Sequence, residues 1–232
     1  MTCCCNQSRA DRIAALAAKG LAKAASAAGQ TVTLYRPTVA MLPLEQPPTG
    51  TLSVLFDQTA ALPGISPAVW GHPLAYAACD ITRIMPGDYM LTAASAVLPG
   101  AVADTYFVSR VDLNRPALVV RTNAVMTVLE SDPTADDKTF GLRPAEGPAA
   151  SKDVKIADGW PVSLIAHGGT NPPTRLGTDV RAGMFSVLMP AIPGQRVYAG
   201  LRLRDALGHD YHTSAVEVSD FGVRLTLTED RV

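Results

Sequence analysis

The placement of chain breakers constrains this sequence more than any other feature. All 18 prolines and all but two of the 18 glycines follow residue 29. Proline removes a backbone donor and fixes φ, and glycine weakens helices and strands alike. Long helices are therefore disfavoured beyond the first thirty residues, and short strands joined by turns are expected. Hydrophobic residues make up 47 % of the chain and charged residues 18 %. That balance supports a buried core rather than wholesale disorder.

The first thirty residues behave differently. Ser8-Arg9-Ala10-Asp11 reads as a capping box, with the serine oxygen covering free N–H groups and Asp11 at the positive end of a helix. Alanine, the best helix former, dominates from Ala10 to Ala28. Gly29 reads as a left-handed stop. Ile13, Leu16, Ala17, Gly20, Leu21 and Ala24 fall on one face, flanked by Arg12, Lys19 and Lys23. Such a helix is roughly 30 Å long. Its small-residue face suits close packing, either on its own domain or on a neighbouring subunit, but buries too little apolar area to bind strongly alone. The bulky anchors of a membrane-surface helix are missing.

Downstream, Thr31 to Pro37 reads as a short alternating strand, and Thr38 to Gly50, with Pro43, Pro47 and Pro48, as an extended connector. Strands are expected at Leu52–Phe56, Tyr89–Leu91, Thr105–Val111, Ala117–Thr122 and Ala124–Leu129, with Met85–Asp88 as a turn. Ser131 to Asp158 is polar and charged and reads as a linker or long loop. Five further strands are expected at Trp160–Ala166, Gly183–Met189, Arg196–Leu203, Tyr211–Val218 and Val223–Thr228, with hairpin turns at Asp205–Asp210 and Asp220–Gly222. No internal repeat is evident. The expected fold is mainly β: an N-terminal Cys cluster and helix (1–30), a proline-rich arm (31–50), a first β unit (51–130), a linker (131–158) and a C-terminal barrel-like unit (159–232). The two units are small antiparallel barrels or sandwiches.

Chemistry-bearing motifs are scarce. The cysteines are Cys3, Cys4, Cys5 and Cys79. Three adjacent thiols lack the spacing of a zinc pair, and adjacent cysteines rarely bond to each other. Free thiols on an exposed terminus, an intermolecular disulfide staple drawing on these four cysteines, and S-acylation all remain open. His209 and His212 straddle a turn-to-strand junction and lack a third ligand. His167-Gly168-Gly169 matches part of a lipase oxyanion loop, but there is no G-x-S-x-G elbow. Asp136-Asp137 reads as a solvated turn, and Trp70 and Trp160 as core anchors. No phosphate loop, dinucleotide fingerprint or calcium loop occurs. The formal net charge of −1 gives no electrostatic case for nucleic acid. No apolar run reaches the ~20 residues of a membrane span, and the N-terminus lacks a secretory signal. The expectation is a non-enzymatic protein with no cofactor and no metal.

Gly183-Met184-Phe185-Ser186-Val187-Leu188-Met189-Pro190, Val197-Tyr198-Ala199-Gly200, Asp205-Ala206-Leu207-Gly208-His209-Asp210-Tyr211 and Ser219–Leu225 together resemble segments of small β-barrel structural proteins of tailed bacteriophages. Pro86-Gly87-Asp88-Tyr89, Thr105–Val108 and Leu118–Asn123 resemble the preceding segment of such proteins. These runs lie between residues 86 and 225 and amount to 40 of the 232 residues. Many barrels of that type carry Gly-Asp before the late strand, where this chain has Gly200-Leu201. The resemblance implies a ring-forming virion subunit, a neck or head-tail connector or else a tail or baseplate component, made in the host cytoplasm. Its implied partners are copies of itself and other virion proteins, with neither membrane nor specific nucleic acid. The helix (Ile13, Leu16, Ala17, Leu21, Ala24) would dock on neighbours. A monomeric bacterial adaptor or binding module is the alternative.

Overall fold

The computed structural model describes residues 8–57, 73–93, 103–113, 115–131, 153–166 and 183–230. One helix, α1 (Arg9–Ala28), precedes two closed six-stranded antiparallel barrels. Barrel one comprises β1 (Gln30–Tyr35), β2 (Gly50–Asp57), β3 (Leu74–Ala78), β4 (Tyr89–Thr92), β5 (Thr105–Arg110) and β6 (Ala117–Arg121). Barrel two comprises β7 (Ala124–Ser131), β8 (Asp153–Ala166), β9 (Met184–Met189), β10 (Arg202–Asp205), β11 (Asp210–Ser219) and β12 (Gly222–Glu229). The mainly-β expectation with one leading helix and two barrels is what the structure shows.

The two barrels are one design used twice. Around barrel one the strands run β1-β2-β3-β6-β5-β4, and around barrel two β7-β8-β9-β12-β11-β10. The registers match as well. Leu34 pairs with Met90 and Met90 with Tyr106, as Val128 pairs with Leu203 and Leu203 with Tyr211. Val32 opposite Leu52 corresponds to Met126 opposite Trp160. The fifth strand of each barrel carries a bulge at the same place, between Val108 and Arg110 and between Thr213 and Ala215. Ahead of the fourth strand, Gly87 (φ +94°) and Gly200 (φ +102°) take the left-handed conformation that glycine adopts without a Cβ clash. Gly87 N–H donates to Val108 O at 2.8 Å and Gly200 N–H to Thr213 O at 2.9 Å. An extra residue in a strand raises local twist, which helps a six-stranded sheet close on itself.

This repeat shifts two expected boundaries. The strand from Gln30 to Tyr35 is not part of a free arm; it closes barrel one by pairing with both β2 and β4. The connection between units is not 131–158, because β7 belongs to barrel two and Ser131 pairs with Asp153. The true junction is Thr122-Asn123. Thr122 N–H donates to Thr105 O in barrel one (2.8 Å), and Asn123 N–H to Val162 O in barrel two (3.0 Å). The Asn123 side chain then behaves as an added strand residue, donating to Leu164 O and accepting from Leu164 N–H, both at 2.7 Å. Arg196–Leu203 is likewise not one strand; only its end belongs to β10. The strand β3 is an addition to the expected set, since Leu74-Ala75-Tyr76-Ala77-Ala78 has little β-branched content to mark it.

The barrels meet along a buried seam. Val32, Leu34, Val54, Met90, Val108 and Val119 fill barrel one. The alternate residues Tyr89, Phe107 and Val120 point out of it and join the core of barrel two around Trp160. Tyr89 O–H donates to Pro161 O at 2.9 Å, and its ring lies 6.1 Å from that of Trp160. The β1–β2 connection reaches across the same seam. Trp160 Nε1–H donates to Ala40 O (2.6 Å), and Leu42 N–H donates to Asp158 O (2.8 Å). Gly159 (φ +70°) leaves room there for Leu42, which a Cβ would meet at 2.7 Å. The proline-rich segment therefore packs on the chain's own second barrel.

Candidate interaction surface

The helix begins as its sequence requires. Asp11 N–H donates to Ser8 Oγ and Ser8 N–H to Asp11 Oδ2, each at 3.1 Å, completing the capping box. Its end differs from expectation, because Gly29 is extended (φ −84°) rather than left-handed. Glycine is needed there for a close approach, since a Cβ would sit 2.7 Å from the Val54 backbone. The helix lies on β2 and β3, across barrel one from Tyr89 and Phe107. Ala25 is the buried residue of this contact, with Ala14, Ala18, Leu21 and Ala22 half-buried.

The expected docking stripe is consequently split. Ala17 and Leu21 are half-buried, whereas Ile13 (52 % exposed), Leu16 (69 %), Gly20 and Ala24 face outward. Arg9, Arg12, Lys19 and Lys23 are exposed around them. One helix thus uses alanines to pack on its own barrel and leaves a second apolar line free.

A second apolar feature lies at one end of barrel two. Val216 and Val218 on β11 stand opposite Leu225 and Val223 on β12, which are core residues, so the inward face of the hairpin continues past the rim. With Ile192, Val197 and Tyr198 from the β9–β10 connection they line an open groove of about 430 Å³. Val218 is 72 % exposed. Tyr198 O–H donates to Glu130 at its edge, and Arg196 is among the residues that line it. The sequence does not announce this groove, because residues 196–201 read as the start of a strand. The available signal was the Val216/Val218 alternation continuing to the hairpin tip.

Titratable groups cluster on the outer side of β10 and β11 in fixed ion pairs. Arg202 contacts Asp153 and Asp210, and Arg204 holds Asp210 with Nε at 2.6 Å. The Arg204 hydrogen bonds keep the Asp210 carboxyl below its usual range against the effect of burial. Burial pushes Asp205 up, but hydrogen bonds from His209 and from the N–H of His209 and Leu207 outweigh it and leave that carboxyl lowered. His209 is raised in turn by its Asp205 partner at 2.9 Å. These bonds close the β10–β11 turn, and Tyr211 O–H (3.3 Å) points to the same Asp205 Oδ2. Burial pushes the Tyr211 phenol up to about 12, a poor match for acid–base work at neutral pH.

The remaining expected residues fall as follows. Cys79 is fully buried in barrel one, and burial with nearby Asp80 pushes its thiol up to about 12. A thiol so enclosed is an inert core residue, and its burial closes Cys79 to the intermolecular disulfide expected of it. Cys3, Cys4 and Cys5 lie outside the described residues, as do His72, His167, Trp70, Asp136 and Asp137. Trp160 is the core anchor expected of it. Among the described residues no three His, Cys, Asp or Glu side chains are grouped to hold a metal ion, and no helix is long and apolar enough to cross a membrane. Comparison of the chain with family models, curated proteins and solved structures finds no match.

Proposed function

We propose that the chain is a non-enzymatic structural subunit of a tailed-phage particle. It forms rings with copies of itself and contacts other virion proteins, as a neck or head-tail connector subunit joining adjacent rings. The observation carrying this reading is the outward line of Ile13, Leu16, Gly20 and Ala24 on a helix already anchored by its other face. An anchored helix presents that line at little entropic cost, which favours association. The short sequence runs resembling phage β-barrel proteins supply the particle context. A tail or baseplate position is the alternative within that context.

A different class, a monomeric adaptor or binding module, draws support from the cleft of about 470 Å³ at the junction, where Thr105, Asn123, Val125 and Pro161 face Ala206 and Leu207. Size-exclusion chromatography with light scattering separates the two. Discrete multimers at high concentration are expected, and a stable monomer throughout overturns the ring reading. Antibody labelling of particles in the electron microscope then distinguishes the neck from the tail end.

A further inference from the structure

We propose that α1 is a terminal cap: it takes on barrel one the seat that barrel one takes on barrel two, and it keeps that seat closed to a second copy. This role is separate from the ring assembly above and does not rest on it. The internal repeat carries it. Gln30 opposite Val54 in barrel one corresponds to Ala124 opposite Val162 in barrel two, so Gly29 stands where Asn123 stands. Asn123 N–H donates to Val162 O at 3.0 Å, and a Cβ on Gly29 would lie 2.7 Å from the Val54 carbonyl. What precedes β7 is β6, which lies on β8 where Tyr89 also reaches it. What precedes β1 is α1, which lies on β2 and β3. Strands β2 and β8 are equivalent in the two barrels. Pro161 and Ser163 point out of barrel two on β8 and are buried there. Their counterparts are Ser53, half-buried, and Leu55, still 38 % exposed. The helix thus fills its seat less completely than a barrel does.

Burial and charge define what the cap withholds. Ala25 is the buried residue of α1, whereas Arg9, Arg12, Lys19 and Lys23 are exposed, against the single acid Asp11. The seat is nearly uncharged: Ser53, Leu55, Tyr76 and Ala78 face outward on β2 and β3, and Asp57 ends the first of these strands. Two capped ends repel each other through their basic helices, and two bare seats do not. Terminal elements with a polar outer face close repeat arrays in this way. The surface that fills the seat of barrel two is not available to fill a bare one. Tyr89, Phe107 and Val120 are buried against the chain's own second barrel, and their counterparts Arg202, His212 and Thr228 are polar. A bare seat therefore pairs with the bare seat of a second copy, a two-fold contact that stops at the dimer.

The test uses the full chain carrying Leu16→Asp, so that the outward line of α1 takes no part. Adding Ala25→Asp puts a carboxylate at the buried position of the cap, 1 % exposed, and lifts the helix rather than bury an unpaired charge. Hydrogen exchange should then show α1 losing protection while β7 to β12 keep theirs. In sedimentation equilibrium the doubly substituted chain should dimerise at least about tenfold more tightly than the Leu16→Asp chain. An excess of synthetic peptide spanning residues 8–29 should reverse this, and the same peptide carrying Ala25→Asp should not. Dimerisation no tighter than in the Leu16→Asp chain, growth beyond twice the mass of that species, or a wild-type peptide without effect overturns the cap. Protection of α1 that survives Ala25→Asp overturns it as well, because Ala25 is then not the anchor. Should barrel one unfold in the double variant, wild-type peptide added during refolding must restore it, and a barrel that stays unfolded overturns the cap. The ring reading stands or falls separately, on whether the unsubstituted chain forms multimers.

Discussion

Barrel one and barrel two share strand order, register, bulge and the left-handed glycine before the fourth strand, yet they share few side chains. Inward positions are apolar in both, as with Leu34, Met90 and Val119 against Val128, Leu203 and Leu227. The outward positions at the seam diverge. Tyr89, Phe107 and Val120, buried against the neighbouring barrel, correspond to Arg202, His212 and Thr228, which meet solvent or ion-pair partners. The fold is thus set by the inward pattern and by a few backbone devices, while the outward pattern decides what each barrel lies against. A second contrast sits just before the fourth strand. Asp88 and Leu201 are both buried, but Asp88 is held by Arg36 through Nε at 2.8 Å and by Met85 N–H at 2.9 Å. The residue corresponding to Arg36 in barrel two is Glu130.

Substitutions can break or sharpen this comparison. The largest effect is expected at the shared seam, where Trp160→Ala should cost about 3–5 kcal/mol in denaturant unfolding through the cavity it leaves. It should also split a single transition into two, because the seam joins the barrels. Leu201→Asp comes next, at about 3 kcal/mol or more, since it buries a carboxylate with no arginine opposite. The reverse exchange, Asp88→Leu, should cost about 2 kcal/mol, because solvent reaches the abandoned Arg36 and only the Met85 N–H is stranded. Equal costs for the two would break the claim that these positions are differently partnered.

Gly87→Ala and Gly200→Ala should each cost about 1–2 kcal/mol, the penalty for a Cβ in left-handed backbone. Neither position has an atom closer than 4.0 Å to the new methyl, so the two losses should agree, and a clear difference in melting shift would argue against equivalent turns. The smallest effect has the opposite sign. Thr213 stands where barrel one has Val108, and its buried Oγ1 has no hydrogen-bond partner among the described residues. Thr213→Val should therefore stabilise by about 1 kcal/mol in the same unfolding assay.

Much of the strand pattern was legible in the sequence because period-2 alternation and turn residues are local signals. The fourth strand of barrel one followed from Pro86-Gly87-Asp88, and the last hairpin from Asp220-Phe221-Gly222. The repeat was not legible, because equivalent residues such as Phe107 and His212 have unrelated chemistry, and matched bulges leave no mark in composition. Continuous apolar runs such as Tyr106-Phe107-Val108 did signal burial on both faces, without saying which neighbour covered the second. The helix was readable from Ser8 to Ala28. Which of its faces packed inward was not, since alanine suits close contact and open solvent alike.

The Trp160–Ala40 bond joins residues 120 positions apart, and that separation has a consequence for how the chain is made. A ribosome releases the β1–β2 connection long before Asp158, Gly159 and Trp160 exist to receive it. Until then barrel one has Tyr89 and Phe107 uncovered and a loop without its anchor. The nascent N-terminal half is therefore an adhesive intermediate, and completion of synthesis is what quenches it. Chains truncated before Trp160 are therefore expected to aggregate more readily than the full chain, which light scattering of the two checks.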